Sequence, residues 1–161
     1  MYGVSRETSD FVADAIERRH EENREKLEEE WIETLGINLD NGPTVSGSRT
    51  QFLYRMIQFA KKEKLQIELI YYPPYHSKYN PIERCRGALE QYWNGEILED
   101  IDDVVWYTKN MTWKGSHPRV TVNHEVYESW VTFKPKEFRQ YEEQLNRDPI
   151  LKKWSIKING R

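Results

Sequence analysis

Apolar positions along the chain follow two spacings, which separate predicted strands from predicted helices. The short apolar runs Leu35–Leu39 and Leu65–Tyr72 are typical of buried strands. Elsewhere, apolar residues recur at steps of three and four, the spacing of one buried helix face. This spacing predicts helices over Thr8–Glu30, Arg49–Lys64 and Pro81–Asn94. Strands and helices therefore alternate along the chain up to residue 94.

The C-terminal part of the chain carries less regular patterns. We predict a helix over Asp100–Met111, strand or hairpin structure within Arg119–Phe133 around Asn123–Glu125, a helix over Lys136–Asn146 and a terminal strand over Lys153–Ile158. The helical spacing also predicts which side chains face inward. These are Phe11, Ala15, Ile16 and Arg19 in the first helix, Phe52, Met56, Ile57, Phe59 and Ala60 in the second, and Ile82, Cys85, Leu89, Tyr92 and Trp93 in the third.

Composition and charge narrow the classes of protein that fit. The chain has 161 residues, of which 37% are hydrophobic and 32% charged, as expected of one domain or part of a larger one. No apolar run approaches the ~20 residues of a membrane span, so we expect no membrane partner. We also find no signal-peptide pattern and expect a cytoplasmic location. The net charge of −3 argues against DNA binding by charge alone, because duplex binding relies on Lys and Arg.

Two carboxylates lie where predicted strands and helices meet. Asp40 follows the first strand, and the C-terminal ends of strands are where open α/β sheets place their sites. The same Asp begins the sequence Asp-Asn-Gly-Pro, which is also ordinary turn chemistry. Glu83 lies in the first turn of the helix that Asn80 and Pro81 begin, off its apolar stripe. It either stabilises the helix through the helix dipole or binds a metal ion.

Two stretches of the chain resemble a known motif pair. The sequence Leu39-Asp40-Asn41-Gly42 and the longer stretch from Tyr72 to Glu83 are similar to the last two acidic motifs of DDE-type transposases, the recombinases of bacterial insertion sequences. The resemblance is to the ISAzo-type branch, which is related to mariner. It includes Trp93-Asn94-Gly95 and the residues from Met111 to Gly115.

The resemblance implies an α/β fold. We expect an incomplete ribonuclease H-like core over residues 1–112, with strands alternating with helices, and a C-terminal β/α extension packed on it over residues 113–161. The family's first catalytic Asp lies on the first of three antiparallel strands, whereas the material before Leu35 is predicted to be helical here. Asp10 and Asp14 lie within that helix. We therefore expect a transposase catalytic domain that is truncated at its N-terminus.

The resemblance also implies a chemistry. Asp40 and Glu83 would be catalytic residues and ligands of a two-ion Mg²⁺ (or Mn²⁺) site, at which the metals activate the nucleophile and stabilise the leaving oxygen. Asn41 and Asn80 would orient these carboxylates. His76 and Lys78 would contact DNA phosphate, or would be solvated loop residues. With two of the three family carboxylates and the first catalytic Asp missing, the chain alone should bind metal weakly and cut DNA poorly or not at all.

Arg86 departs from the family pattern, because relatives usually carry Trp three residues after the glutamate. If Arg86 pairs with Glu83, it competes with a metal ion for that carboxylate, which favours decay over retained activity.

Three functions follow from the resemblance. The first is a transposase fragment that acts on the terminal repeats of an insertion sequence, together with another transposase copy. The second is a non-enzymatic DNA- or protein-binding remnant that modulates an intact transposase. The third is a different ribonuclease H-like nuclease.

Overall fold

The computed structural model describes residues 2–3, 7–73 and 80–161. In chain order, the strands are β1 (Tyr2–Gly3), β2 (Thr34–Leu39), β3 (Gln66–Tyr71), β4 (Thr121–Val122), β5 (Leu145–Arg147) and β6 (Ser155–Asn159). The helices are α1 (Ser9–Glu21), α2 (Arg24–Glu29), α3 (Thr50–Glu63), α4 (Pro81–Tyr92), α5 (Ile101–Asn110) and α6 (Pro135–Glu142). The predicted α/β fold class is confirmed, and the architecture is compatible with a ribonuclease H-like fold.

The chain divides into two compact units. Residues Arg6–Pro74 and Tyr127–Arg161 form the first, called the sheet unit here, and residues Met1–Ser5 and Tyr75–Val126 form the second, called the helical unit. In the helical unit, β1 pairs with β4 in parallel, and α4 and α5 lie between them in sequence. The predicted boundary between residues 112 and 113 stays a prediction. In the described part of the chain, no helix has the length and apolarity that a membrane span requires.

The sheet unit contains a four-stranded mixed sheet in the order β2-β3-β6-β5. β2 and β3 are parallel and connected through α3, whereas β6 runs antiparallel to both β3 and β5. The C-terminal segment thus supplies half of this sheet. Among the described residues, β2 has no neighbour on its outer side, and its apolar side chains Leu35 and Ile37 are half-buried. The corresponding residues Ile67 and Leu69 of the inner strand β3 are fully buried.

Helix α3 is the centre of the core in the sheet unit. It packs against α1, α6 and the strands β3 and β6. The prediction of its inward face is confirmed, because Phe52, Met56, Ile57, Phe59 and Ala60 are all buried. Lys64 ends the helix in the left-handed conformation, with φ of 54°. The strands predicted on either side, now β2 and β3, and the terminal strand β6 are confirmed as well.

Gly160 lies where two backbone segments meet just after β6. Its N–H donates to the Leu65 carbonyl at 2.9 Å. A Cβ atom at this position would overlap the Ala60 carbonyl oxygen and lie 2.7 Å from that of Leu65. Only a residue without a side chain therefore fits between the end of α3 and the start of β3.

Several predicted elements differ in the structure. The helix predicted over Thr8–Glu30 is interrupted at Asn23, whose side-chain amide donates to the Arg19 carbonyl at 2.6 Å and so competes with the helix backbone. Of the side chains predicted to face inward on this helix, Phe11 is buried and Ala15 and Ile16 are half-buried. The prediction for Arg19 is wrong, because its side chain is exposed, whereas Ala13 is buried.

The helix predicted over Lys136–Asn146 ends at Glu142, and its last residues form β5 instead. The strand or hairpin predicted within Arg119–Phe133 is reduced to the two residues of β4 among those described. Strand propensity alone did not decide this segment, because strands form where a neighbour offers pairing and burial.

The predicted stripe of α4 is the largest correction. The helix itself and its N-terminal cap are confirmed, but of the five predicted inward residues only Leu89 is buried. Ile82 and Tyr92 are exposed, and Cys85 and Trp93 are half-buried. The apolar spacing gives this helix one preferred face, but the fold covers only part of it.

Candidate metal site

Asp40 lies at the C-terminal end of the parallel pair of strands in the sheet unit. β2 ends at Leu39, which is in register with Tyr71 of β3, and Asp40 is the next residue. Its side chain is exposed, and its Oδ1 accepts a hydrogen bond from the Gly42 N–H at 3.4 Å. Within the described ranges, no basic side chain pairs with Asp40. The turn role and a role as a metal ligand are therefore compatible, because one long hydrogen bond leaves most of the carboxylate free.

Side chains from distant parts of the sheet unit hold the loop that follows Asp40. The Tyr71 hydroxyl donates to the Val45 carbonyl at 2.9 Å, and Arg147 Nη1 donates to the Gly47 carbonyl at 2.9 Å. Burial raises the pKa of the Tyr71 phenol above its ordinary value, although the charge of Arg147 lowers it somewhat. Tyr71 therefore remains a protonated donor, and the loop is fixed relative to the end of β3.

Glu83 lies in the first turn of α4 in the helical unit. Asn80 caps the helix by accepting a hydrogen bond from the Ile82 N–H at 3.2 Å, and Pro81 occupies the first turn. Arg86 Nη1 lies 3.4 Å from Glu83 Oε1. The competing ion pair that the sequence raised as a hypothesis is therefore present. Both side chains are solvent-accessible, at 60% for Arg86 and 39% for Glu83.

The other predicted site residues have varied positions. The Asn80 side chain caps α4, and Asn41 is exposed at the start of the loop after Asp40. His76 and Lys78 lie outside the described residues. Asp40 and Glu83 belong to different units, so their predicted pairing around shared metal ions stays a prediction. Among the residues that the structure describes, no three His, Cys, Asp or Glu side chains form a group that could hold a metal ion.

Asp10 and Asp14 are structural residues, as their predicted helical location suggested. Both lie on α1 and bind the guanidinium of Arg55 on α3, together with Glu17. The Arg55–Asp10 and Arg55–Glu17 distances are 2.9 and 3.1 Å. Burial lowers the pKa of Arg55, but the hydrogen bonds to Asp14 and Asp10 more than offset this and raise it. The cluster fastens α1 to α3.

Comparison with known proteins assigns the chain to a family. A family model described as the Rhodopirellula transposase DDE domain matches residues 1–160. The chain belongs to this transposase DDE domain family. Searches of curated proteins and of solved structures gave no match. The resemblance found in the motifs around Asp40 and Glu83 is therefore confirmed at the level of the family.

Members of the transposase family generally use divalent metal ions. The donor chemistry of this transposase domain fits such ions, because Mg²⁺ prefers carboxylate oxygens and keeps several water ligands. The Asp40 carboxylate is accessible, and the pair between Glu83 and Arg86 is an exposed one of the kind that contributes about 0–1 kcal/mol. A divalent ion can replace so weak a partner. When bound, such ions neutralise charge that develops on phosphate oxygens.

Sequence reasoning missed the residues that support this site. Tyr71 is predicted only as part of a strand, and Arg147 lies just outside the helix predicted over Lys136–Asn146, in no predicted element. Both contact the loop after Asp40 across large sequence separations. Their types gave no local signal, since a Tyr at a strand end and an Arg near a turn are both common on protein surfaces.

Proposed function

We propose that this transposase domain supplies Asp40 and Glu83 to a two-ion Mg²⁺ or Mn²⁺ site for DNA strand cleavage and strand transfer in the movement of an insertion sequence. The observation that supports this most is the Asp40 carboxylate, which is exposed at the end of a parallel strand pair. Such a carboxylate can bind a cation at low desolvation cost. The substrate is DNA that carries the terminal repeats of the element, which implies a cytoplasmic location.

The surrounding residues serve the two carboxylates. Asn80 fixes the first turn of α4, from which Glu83 projects. Asn41 follows Asp40 and orients the turn that carries it. His76 and Lys78 contact the DNA phosphate. In the family, a third carboxylate completes the site, and the two motifs of this chain contain only Asp40 and Glu83. We therefore propose that the chain alone has low cleavage activity and acts together with another transposase copy.

Metal binding and DNA cleavage test this proposal separately. The chain and its variants Asp40→Asn and Glu83→Gln are titrated with Mn²⁺, and free Mn²⁺ is measured by electron paramagnetic resonance. We expect each variant to lose at least about tenfold in Mn²⁺ affinity, since even removal of a ligand's hydrogen-bond partner has that effect at metal sites. Glu143→Gln is the matched control, because Glu143 is an exposed carboxylate after α6.

Cleavage is then measured on a terminal-repeat DNA fragment with Mg²⁺ or Mn²⁺. We expect slow cleavage by the chain and none by either variant. Unchanged Mn²⁺ affinity in both variants would remove Asp40 and Glu83 from the site. Metal binding without any cleavage, combined with inhibition of an intact transposase, would support the non-enzymatic remnant instead. Cleavage of branched DNA or RNA–DNA hybrids without preference for terminal repeats would indicate a different nuclease.

A further inference from the structure

A cleft of about 400 Å³ opens in the sheet unit beside the loop that follows Asp40. We call it the basic cleft and define it by its basic and uncharged polar lining residues Asn41, Ser48, Thr50, Arg147, Lys152 and Lys153; one acidic residue, Glu142, lines it as well. Apolar side chains of α3 and α6 also line it. Asn41 is the residue directly after Asp40, so the cleft begins next to the predicted metal ligand.

The charge of the basic cleft is positive after its internal ion pair is taken into account. Arg147 Nε donates to Glu142 Oε1 at 2.9 Å, so this pair is close to neutral. Lys152 and Lys153 are exposed, and neither forms an ion pair with an acidic residue in the part of the chain that the structure describes. Two unpaired ammonium groups therefore remain in a chain whose net charge is −3.

The two lysines lie on a turn that is ordered by its own hydrogen bonds. Asp148 Oδ1 accepts from the backbone N–H groups of Ile150 and Leu151 at 2.8 and 2.6 Å. The Trp154 N–H donates to the Leu151 carbonyl at 2.7 Å, and the Trp154 carbonyl accepts a hydrogen bond from the backbone N–H of Tyr71 at 2.8 Å. The turn is thus attached to the end of β3. The lysine backbone is held in place before any ligand arrives, which lowers the entropic cost of binding.

We propose that the basic cleft binds the phosphodiester backbone of DNA and holds the strand next to Asp40. This inference rests on the proposed function, which supplies DNA as the substrate. Lysine ammonium groups bind phosphate as point charges, and the hydroxyl of Ser48 and the amide of Asn41 are typical donors to phosphate oxygens. Such contacts fix the position of the strand and carry no base specificity. Binding is therefore independent of sequence and depends strongly on salt.

The test measures binding of a fluorescein-labelled DNA duplex of arbitrary sequence by fluorescence anisotropy, in EDTA and over a range of salt concentrations. The cleft variant is Lys152→Gln with Lys153→Gln. The charge-matched control is Lys26→Gln with Lys61→Gln, since Lys61 lies in the last turn of α3, about 16 Å along the helix from Thr50 in the cleft. A third variant, Lys152→Arg with Lys153→Arg, keeps the charge. Circular dichroism confirms that all variants fold.

We expect the cleft variant to bind roughly ten- to a hundredfold more weakly at 0.1 M salt, and the slope of log K against log salt to fall by about two. The control and the arginine variant should bind like the unmodified chain. Equal losses in the cleft and control variants, or an unmodified chain that does not bind DNA, would overturn the inference. Displacement of the DNA by equimolar inorganic phosphate would also overturn it, by making the cleft a small-anion site.

Failure of the proposed catalytic function would give a different experimental result from failure of the basic cleft to bind DNA. Because EDTA removes divalent metal, binding is measured without cleavage and does not depend on Asp40 or Glu83 as metal ligands. DNA binding that requires Lys152 and Lys153, in a chain that never cuts DNA, would leave the basic cleft assigned and reject the proposed catalysis.

Discussion

Arg86 Nη1 lies 3.4 Å from Oε1 of Glu83, which precedes it by about one turn on α4, and both side chains are solvent-accessible. The carboxylate that is predicted to bind metal thus already has a cationic partner. An exposed pair at this spacing contributes only about 0–1 kcal/mol, because water screens the charges and two long side chains must be ordered. If Glu83 binds a metal ion as proposed, the pair competes with the ion but is too weak to prevent its binding.

Removal of Arg86 should strengthen metal binding. For Arg86→Ala, we expect Mn²⁺ affinity to rise by up to about fivefold, which corresponds to the full worth of an exposed ion pair. Arg84→Ala is the control, because Arg84 is an exposed neighbour on α4. Electron paramagnetic resonance of free Mn²⁺ measures the Mn²⁺ affinity of both variants. If Arg86→Ala and Arg84→Ala give the same affinity as the unmodified chain, the ion pair has no bearing on the metal site.

Replacement of Tyr71 should loosen the loop after Asp40. Tyr71→Phe removes the hydrogen bond to the buried Val45 carbonyl while it keeps the ring in the core. We expect a loss of about 1 kcal/mol in the free energy of unfolding, measured by urea denaturation at pH 8. Tyr54→Phe is a control, since it removes a hydroxyl from a half-buried tyrosine of the same unit. An unchanged free energy of unfolding in Tyr71→Phe would show that this hydrogen bond contributes nothing to stability.

The same variant should also change the dependence of stability on alkaline pH. Burial raises the pKa of Tyr71 in the folded state, whereas an unfolded tyrosine titrates near pH ~10. The contribution of the protonated phenol is therefore fully present below pH ~10 and is lost as the pH rises through the folded-state pKa. We expect the unmodified chain to lose more stability than Tyr71→Phe between pH 8 and pH ~11. Parallel curves for the two proteins would contradict this.

Removal of Arg55 should destabilise the contact between α1 and α3. Arg55→Met keeps a long apolar side chain but leaves Asp10, Asp14 and Glu17 without their shared cation. Fully buried pairs lose 3–5 kcal/mol when one partner is removed, and this cluster is partly solvated, so we expect a loss of about 2–3 kcal/mol. Urea denaturation measures it, with the exposed Arg139→Met as the control.

A second substitution separates the charge effect in this cluster from the loss of packing. In the Arg55→Met background, Asp14→Asn removes one of the repelling carboxylates. We expect part of the lost free energy of unfolding to return, so the two substitutions should be non-additive. Additive losses would show that repulsion between the carboxylates is not the cause.

Gly160→Ala should be destabilising although Gly160 is the penultimate residue. The added Cβ would meet two backbone carbonyl oxygens, which cannot move away as a flexible side chain could. We expect a loss of about 1–3 kcal/mol, typical of overpacking. Gly36→Ala on β2 is the matched control, since a Cβ there meets nothing within 4 Å. Equal melting temperatures for the two variants would show that the C-terminus yields without cost.

Local sequence patterns were sufficient to predict most helices and strands of the sheet unit. The apolar spacing of α3 predicted its inward face, because every side of that stripe has a neighbour in the fold. The same reasoning failed on α4, where the spacing was equally regular but only Leu89 is buried. Periodicity states which face of a helix is apolar, whereas the extent of burial depends on what packs against that face.

By itself, the sequence determined the order of strands and helices up to residue 94, the cap of α4, and the two motifs that carry Asp40 and Glu83. These features depend on residues a few positions apart in the chain, because backbone preferences and helix caps are set by the local amino-acid sequence. Only the tertiary structure decided that the C-terminal segment adds β5 and β6 to the sheet, and that Tyr71 and Arg147 hold the loop after Asp40. Contacts between residues far apart in the chain depend on how all the elements pack together, and no local pattern specifies that packing.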